Sequence, residues 1–291
     1  MSSPEMATAG PLGIIAGAGE LPLAIARTLH EDGRPVFVLA LDGIADAQAF
    51  SKLPHAMASL GDVGTAVRLL KQAGCSEVTL AGKVVRPDFS KLKLDDLGAQ
   101  YIAPILAAAR QGDDALLRAV MSMFEKQGFL VTGTSDITRV LLAPSGALGR
   151  FEPGAEVLPD IEHGFRVVST LGALDIGQAA AVAGGLVLAV EAAEGTDAML
   201  KRVADLPPAL RGSMTARCGV LVKALKPHQD KRVDLPVIGA RTVDLASAAG
   251  LAGIALQSEG VLILNRPRVI ELADNAGLFV YGVKKAEIPG A

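Results

Sequence analysis

The sequence predicts an α/β protein with two domains, the first of them built around a parallel sheet. Short apolar runs alternate with helix-length segments through the first half of the chain, a pattern typical of strands joined by helical crossovers. Hydrophobic residues make up 50% of the 291 residues and charged residues 20%, which is enough apolar material for a large core. Aromatic residues are only 3% and Trp is absent, so Ala, Val, Leu and Ile must fill that core.

The first domain is predicted over residues 6–140. We expect strands at 12–16, 35–41, 77–81 and 129–132, helices at 22–31 and 64–73, and a mostly helical region at 92–127. Gly112-Asp-Asp114 is a start signal for a helix at 115–126. Strands and helices that alternate at this spacing favour parallel pairing with right-handed crossovers.

A linker is predicted at residues 141–158, where Pro and Gly are frequent and no periodicity is evident. The second domain then covers residues 159–287 and is also α/β. Its predicted helices lie at 160–174, 198–204, 243–249 and 268–275, and its predicted strands at 186–190, 219–222, 253–256, 260–264 and 278–281. The strands at 253–256 and 260–264 are close enough in sequence to form a hairpin.

Composition excludes several classes of protein. The formal net charge is −3 and aromatic residues are few, which argues against a nucleic-acid partner. Cys75 and Cys218 are far apart, so zinc-site spacing is absent, and two thiols fit a reducing cytoplasm. We see no signal peptide. The longest apolar run, 179–190, is shorter than the roughly 20 residues of a spanning helix. We expect a soluble cytoplasmic protein, a prediction that leaves peripheral membrane contact open.

Two glycines follow the first predicted strand and precede a helix. Gly17 and Gly19 allow a close backbone approach to a phosphate or sugar, and the helix N-terminus favours an anion. The dinucleotide motif would place a third glycine at position 22, where Pro22 stands, so NAD binding is disfavoured. Asp42 ends the second strand, where an acid can meet a ribose. A tight turn and a helix cap are the structural alternatives for these residues.

Gly82 and Lys83 follow the third predicted strand. In parallel α/β sheets, residues at the carboxyl ends of strands face the ligand crevice. Lys83 is therefore a candidate for phosphate contact, and an ordinary surface lysine is the alternative. Asp113 lies at a helix start, where capping explains it without any ligand.

Acidic and basic residues concentrate in two segments of the second domain. Glu194-Gly-Thr-Asp197 follows an apolar strand and opens a helix, and its acids could supply half of a magnesium site. The other half could come from Asp230 or Asp234 in the polar segment 223–236. Lys223, Lys226 and Arg232 would then neutralise phosphate charge. Helix capping and a solvated loop are the structural alternatives. His228 lacks a partner at catalytic or metal spacing.

Five segments, in order, resemble the LpxI family of UDP-2,3-diacylglucosamine pyrophosphatases of lipid A biosynthesis. They are Gly13-Ile-Ile-Ala-Gly-Ala-Gly-Glu-Leu-Pro22, Gly112-Asp-Asp-Ala-Leu-Leu-Arg118, Leu174-Asp-Ile-Gly-Gln178, Val190-Glu-Ala-Ala-Glu-Gly-Thr-Asp-Ala-Met199 and Lys223-Ala-Leu-Lys-Pro-His-Gln-Asp-Lys-Arg-Val-Asp-Leu-Pro236. The resemblance runs from about residue 12 to residue 284. It implies a Rossmann-like N-terminal domain, a distinct C-terminal domain and magnesium-dependent hydrolysis to UMP and 2,3-diacylglucosamine 1-phosphate.

The resemblance also implies roles for single residues. Asp230 in the Lys-Pro-x-Gln-Asp motif becomes the candidate catalytic and metal-binding acid, with Asp197 as a second metal candidate. The candidate substrate-binding residues are Gly17, Gly19, Gly82, Lys83, Asp113, Gln178, Glu194, Thr196, Lys223, Lys226 and Gln229. His228 occupies the free position of the motif and is expected to be a bystander.

The implied partner is a glycolipid nucleotide, so an apolar site for acyl chains and transient contact with the inner-membrane surface are expected. Oligomeric state, including a homo-oligomer, is left open. A non-catalytic nucleotide-sugar or lipid sensor is the alternative from another class. A nucleotide-sugar transferase and an NAD-linked oxidoreductase are further alternatives, and Pro22 argues against the last.

Overall fold

A computed structural model describes residues 10–137, 139–227 and 235–288. Its described residues fall into two compact units, which divide the chain between residues 137 and 139. Both units combine helices with a sheet, so the predicted α/β class with a parallel sheet and a second domain is confirmed.

The first unit is a parallel sheet with helices between its strands. Its elements, in chain order, are β1 (Leu12–Ala16), α1 (Leu21–Glu31), β2 (Val36–Leu41), β3 (His55–Ala58), α2 (Val63–Gln72), β4 (Glu77–Ala81), α3 (Asp96–Ala109), α4 (Asp113–Lys126), β5 (Leu130–Val131) and α5 (Thr134–Ile137). The strand order is β3-β2-β1-β4-β5, and every pairing in this sheet is parallel. This is the order of the first five strands in doubly wound nucleotide-binding sheets.

One carboxylate fixes the start of two helices in this unit. Asp95 Oδ1 accepts a hydrogen bond of 2.7 Å from Gly98 N in the first turn of α3. Its Oδ2 accepts from Gly64 N at 2.6 Å and from Thr65 N at 3.2 Å in the first turn of α2. Helices α2 and α4 pack on the sheet through a buried cluster that includes Val67, Leu70 and Met121.

The second unit is a mixed sheet with helices. Its elements are β6 (Gly146–Ala147), α6 (Leu158–Ala173), β7 (Ala179–Ala183), β8 (Leu186–Val190), α7 (Thr196–Ala204), α8 (Pro208–Arg211), β9 (Val220–Lys223), β10 (Val237–Ile238), α9 (Ala240–Ala248), β11 (Gly253–Gln257), β12 (Leu262–Ile263), α10 (Arg266–Ala276) and β13 (Phe279–Val283). The sheet order is β6-β13-β11-β9-β7-β8, with β9, β11 and β13 parallel and the flanking pairings antiparallel. Strands β10 and β12 form a separate parallel pair.

Cores lie on both faces of this second sheet, so its central strands are apolar apart from the polar residues that end β9 and β11. Leu221 and Ile254 belong to one cluster together with residues of α7 and α9, such as Met199 and Val243. The alternate residues of the same strands, such as Val222, pack in another cluster with residues of α6.

Several sequence-based assignments differ from the structure. The predicted hairpin at 253–264 is wrong, because β11 pairs in parallel with β9 and β13 while β12 pairs with β10. Strand β7 was not predicted, since its sequence is mostly Ala, which has weak strand propensity. The apolar run 179–190 is in fact two antiparallel strands joined at Gly184 and Gly185, whose φ values are 56° and 78°. Strand β3 was also missed.

The range 141–158 was predicted as a linker, and it lies in the second unit. Strand β6 pairs with β13, and Ala143 is completely buried.

In the described residues, no helix has both the length and the apolar character needed to span a bilayer.

Candidate active site

The loops after β1 and β4 meet at the carboxyl edge of the first sheet. Ala18 and Lys83 exchange two backbone hydrogen bonds of 2.8 Å, and Gly17 N donates to Ala81 O at 2.8 Å. The strand order reverses here, because the chain builds outward from β1 to β3 and then resumes on the other side of β1 with β4. Ligand crevices of parallel α/β sheets open at this position.

The glycines in these loops have different physical tasks. A Cβ at Gly17 would lie 2.7 Å from Lys83 O, and a Cβ at Gly82 would lie 2.7 Å from Ala18 O, so both glycines permit the two loops to touch. Gly19 has φ 95° and nothing within 4 Å of a Cβ position. Of the three, Gly19 is therefore the one that leaves room for an approaching ligand.

Polar side chains flank this edge. Lys83 is exposed two residues after β4, and Asp42 is exposed immediately after β2. Asp113, at the start of α4, forms an ion pair with Arg86 of the loop that contains Lys83. Asp113 thus contacts the loop after β4 without any ligand.

A buried polar network lies at the carboxyl edge of the second sheet. Lys223 ends β9, is 5% exposed, and donates through Nζ to Thr196 Oγ1 at 2.7 Å and to Val237 O at 3.1 Å. Thr196 begins α7 and lies within 3.0 Å of Glu191 Oε1, which accepts its hydroxyl hydrogen. Glu191 directly follows β8 and is 8% exposed.

The other predicted residues of this edge are close in the fold. Lys226 Nζ donates to Asp175 Oδ1 at 2.7 Å. Gln178 precedes β7, and its backbone oxygen accepts from Ala224 N at 3.1 Å. In the part of the chain that the structure describes, Gln178 Oε1 is buried without a hydrogen-bond partner. Such an acceptor is costly unless a ligand or water satisfies it.

The two acids of the 194–197 segment each contact an arginine. Glu194 pairs with Arg202, and its own backbone N–H, followed by Arg202, holds the pKa of the Glu194 carboxyl below its usual range. Asp197 Oδ2 lies 2.5 Å from Arg241 Nε. Within residues 10–137, 139–227 and 235–288, no group of three or more His, Cys, Asp or Glu side chains is arranged to hold a metal ion.

Residues 228–234 lie outside the described part of the chain. The predictions for Gln229 and for Asp230 as catalytic and metal-binding acid therefore stay predictions, as do the roles weighed for His228, Arg232 and Asp234. The structure does describe both flanks of this segment, including Lys226 on one side and Val237 on the other.

Sequence reasoning did not single out Glu191 as a member of the site. Its Oε2 is buried and lacks a hydrogen-bond partner among the described residues. The signal was nevertheless present, since an acid directly after an apolar strand occupies the end at which parallel α/β proteins gather functional groups. Asp175, which contacts Lys226, was also not chosen.

The fold and these contacts define a two-unit α/β protein in which each unit gathers polar groups at one edge of its sheet. The family model described as the LpxI N-terminal domain matches residues 11–141, and the model described as the LpxI C-terminal domain matches residues 144–281. The chain belongs to the LpxI family, as the sequence segments had indicated.

A curated relative covers almost the whole chain. This chain is 47% identical over 278 residues to the UDP-2,3-diacylglucosamine pyrophosphatase LpxI of Caulobacter vibrioides. The alignment includes 96% of this chain and 99% of the relative.

Proposed function

We propose that this protein hydrolyses the pyrophosphate bond of UDP-2,3-diacylglucosamine to UMP and 2,3-diacylglucosamine 1-phosphate in lipid A biosynthesis. The observation that carries the proposal is the match along nearly the full length, at 47% identity, to a relative named for this activity. Since the match includes both units, it supports transfer of the whole reaction rather than of one binding module.

The first unit supports recognition of the nucleotide part. Gly19 leaves open space at the point where the strand order reverses, and α1 begins two residues later. The amide groups at a helix N-terminus favour a phosphate, and the exposed Lys83 adds a positive charge to the same edge. We assign Gly19 and Lys83 to contacts with the uridine diphosphate group.

The second unit supports the hydrolytic step. We assign Asp230 the task of holding the metal ion at the pyrophosphate and Lys226 the task of balancing charge on its oxygens. Lys226 contacts Asp175, which orients its ammonium group at the edge of the sheet. Lys226, on the described flank of the segment that carries Asp230, thus offers a positioned cation.

Magnesium is the cofactor proposed for the reaction. Mg²⁺ prefers carboxylate, water and phosphate oxygens, and Glu191 Oε2 is a buried acceptor without a hydrogen-bond partner among the described residues. This donor chemistry fits the ion. Asp230, Asp197 and Glu191 are the residues we propose to hold it, directly or through water. Bound Mg²⁺ supplies charge neutralisation at the pyrophosphate.

The acyl chains require an apolar surface near the phosphate contacts. Leu174 and Ile176 flank Asp175 and are 67% and 43% exposed. Asp175 contacts Lys226, so both apolar residues are sequence neighbours of a partner of the proposed phosphate ligand. We propose that they face the acyl chains or the inner-membrane surface from which the substrate is drawn, and that the protein is otherwise cytoplasmic.

The direct test is an assay of UMP release from UDP-2,3-diacylglucosamine by the full-length protein. We expect UMP and 2,3-diacylglucosamine 1-phosphate in equal amounts with Mg²⁺, and loss of both when EDTA is added. Binding of the substrate without release of UMP would favour the sensor alternative. Full activity in EDTA would overturn the magnesium assignment and leave the hydrolase assignment intact.

A further inference from the structure

We propose that Lys223 is a positioning residue whose buried ammonium holds together the two flanks of the segment that carries Asp230. Sequence reasoning had assigned Lys223 to the phosphate. The proposal deepens the proposed function and rests on it, because only there does Asp230 have a chemical task.

The direction of each hydrogen bond in the network follows from which groups can donate and which can accept. A lysine ammonium can only donate, so Thr196 Oγ1 accepts from Lys223 across 2.7 Å. The hydroxyl hydrogen of Thr196 is then directed to Glu191 Oε1, which is 3.0 Å away. Thr196 can serve both neighbours at once because it is a donor and an acceptor.

Burial makes the network interdependent. Lys223 and Glu191 are 5% and 8% exposed, and a buried charge is costly unless an opposite charge and hydrogen bonds compensate it. Thr196 is also 8% exposed and links the two charged groups through its hydroxyl. Removal of the hydroxyl therefore disconnects the carboxylate from the ammonium.

The network joins two points that are distant in the sequence. Lys223 ends β9, and Val237 begins β10 fourteen positions later. A hydrogen bond from Lys223 Nζ to Val237 O joins the two ends of this stretch. The β10 flank is also fixed by pairing of Val237 with Leu262. On the β9 flank, Leu225 N donates to Gln257 Oε1 at 3.1 Å. These contacts fix the two points at which the chain enters and leaves this stretch.

The burial of Lys223 favours this role over contact with the phosphate. A phosphate ligand must present its ammonium to the substrate, and Lys223 is almost fully enclosed with two of its donors directed to protein oxygens. Lys226 lies three residues further along and has a more exposed side chain, at 16%. Lys226 is therefore the better candidate for direct phosphate contact.

The test uses Thr196→Val and Thr196→Ser, because valine keeps the shape of threonine and serine keeps its hydroxyl. We expect Thr196→Val to lower kcat about 10- to 100-fold, as a small misplacement of a catalytic group does, with little change in KM. Thr196→Ser should stay within about threefold of the parent, since the hydroxyl is retained. Thr242→Val is the control, because Thr242 is also buried at a helix start but lies outside the network.

Lys223→Met, alone and combined with Thr196→Val, separates positioning from general destabilisation. The double variant should be no slower than Lys223→Met, because residues that act as a unit are not additive. The proposal would be overturned if the losses of kcat in the two single variants multiplied in the double variant. A normal kcat in Thr196→Val would also overturn it. A rise in KM as the main effect of Lys223→Met would instead indicate that Lys223 contacts the phosphate of the substrate.

A structural readout keeps the proposal testable if the hydrolase assignment itself fails. Hydrogen exchange of peptides spanning 224–236 should be faster in Thr196→Val than in the parent and unchanged in Thr196→Ser and Thr242→Val. Absence of UMP release by the parent protein would reject the proposed function. Unchanged exchange in Thr196→Val would reject the positioning role on its own.

Discussion

Ala18 and Lys83 are joined by two backbone hydrogen bonds of 2.8 Å, which make one continuous surface of the loops after β1 and β4. This pairing depends on backbone contact at glycines, since a Cβ at Gly17 or Gly82 would lie 2.7 Å from a carbonyl oxygen of the opposite loop. At the proposed nucleotide edge, Gly17 and Gly82 are therefore needed for contact between the two loops. Gly19 has open space beside it that a ligand could occupy.

Gly82→Ala should destabilise the protein through this contact. Gly82 has φ 89° and a backbone oxygen in the way of a side chain, so we expect a loss of about 2–4 kcal/mol in the free energy of unfolding. Gly43→Ala is the matched control, since Gly43 has φ 69° but open space around it, and should cost about 1 kcal/mol. Urea denaturation measures both, and equal losses would contradict the role of the loop contact.

Asp95→Ala should weaken the first unit through two helices at once. Asp95 accepts hydrogen bonds from the first turns of α2 and α3, and the loss of both caps should cost about 2–4 kcal/mol. Asp96→Ala removes the neighbouring exposed acid from the first turn of α3 and should cost less than about 1 kcal/mol. Similar losses in the two variants, measured by urea denaturation, would show that capping by Asp95 is not the cause.

The two cysteines should differ strongly in reactivity. Burial raises the pKa of the Cys75 thiol to about 11, so at pH 8 only about one Cys75 in a thousand is a thiolate. Cys218 is exposed. We expect rapid reaction of a disulfide reagent at Cys218 alone in the folded protein, and reaction at both residues after unfolding. Cys218→Ser should abolish the rapid phase, and a rapid phase that persists would contradict the burial of Cys75.

Asp197→Asn tests the second metal candidate. If Asp197 contributes to magnesium binding, the Mg²⁺ concentration for half-maximal activity should rise about 10-fold or more. Glu271→Gln, which removes an exposed acid of α10, should leave that concentration unchanged. Direct binding of Mn²⁺, followed by its electron paramagnetic resonance signal, gives a readout independent of turnover. Parent-like Mn²⁺ affinity in Asp197→Asn would remove Asp197 from the metal site.

Alternating apolar runs were enough to predict the parallel sheet of the first unit, because buried strands such as β1 and β2 carry an unbroken hydrophobic sequence. They were not enough for β7, whose alanines have weak strand propensity and form a strand through pairing with β8 and β9. The sequence also did not predict the pairing of β12 with β10, because each strand has only two residues and the partners are far apart in sequence.

Motifs at strand ends identified the regions of the site but not the function of each side chain. The sequence marked Lys223 as a cation near a phosphate, but burial and the bonds to Thr196 and Val237 are properties of the folded unit. Glu191 directly follows an apolar strand, which is a sequence signal, but its buried Oε2 without a hydrogen-bond partner among the described residues is known only from the structure. Asp230 was one of two candidate acids in the polar segment until the family motif favoured it over Asp234, and it lies outside the described residues.

The central claim is that Asp230 carries the hydrolysis of the pyrophosphate. The most direct measurement compares UMP release by Asp230→Asn with that by Asp244→Asn, a control that removes an exposed acid from α9. We predict that Asp230→Asn lowers kcat by about 10²- to 10³-fold while substrate binding and the unfolding midpoint are retained, and that Asp244→Asn matches the parent. A kcat for Asp230→Asn equal to that of the parent would contradict the account.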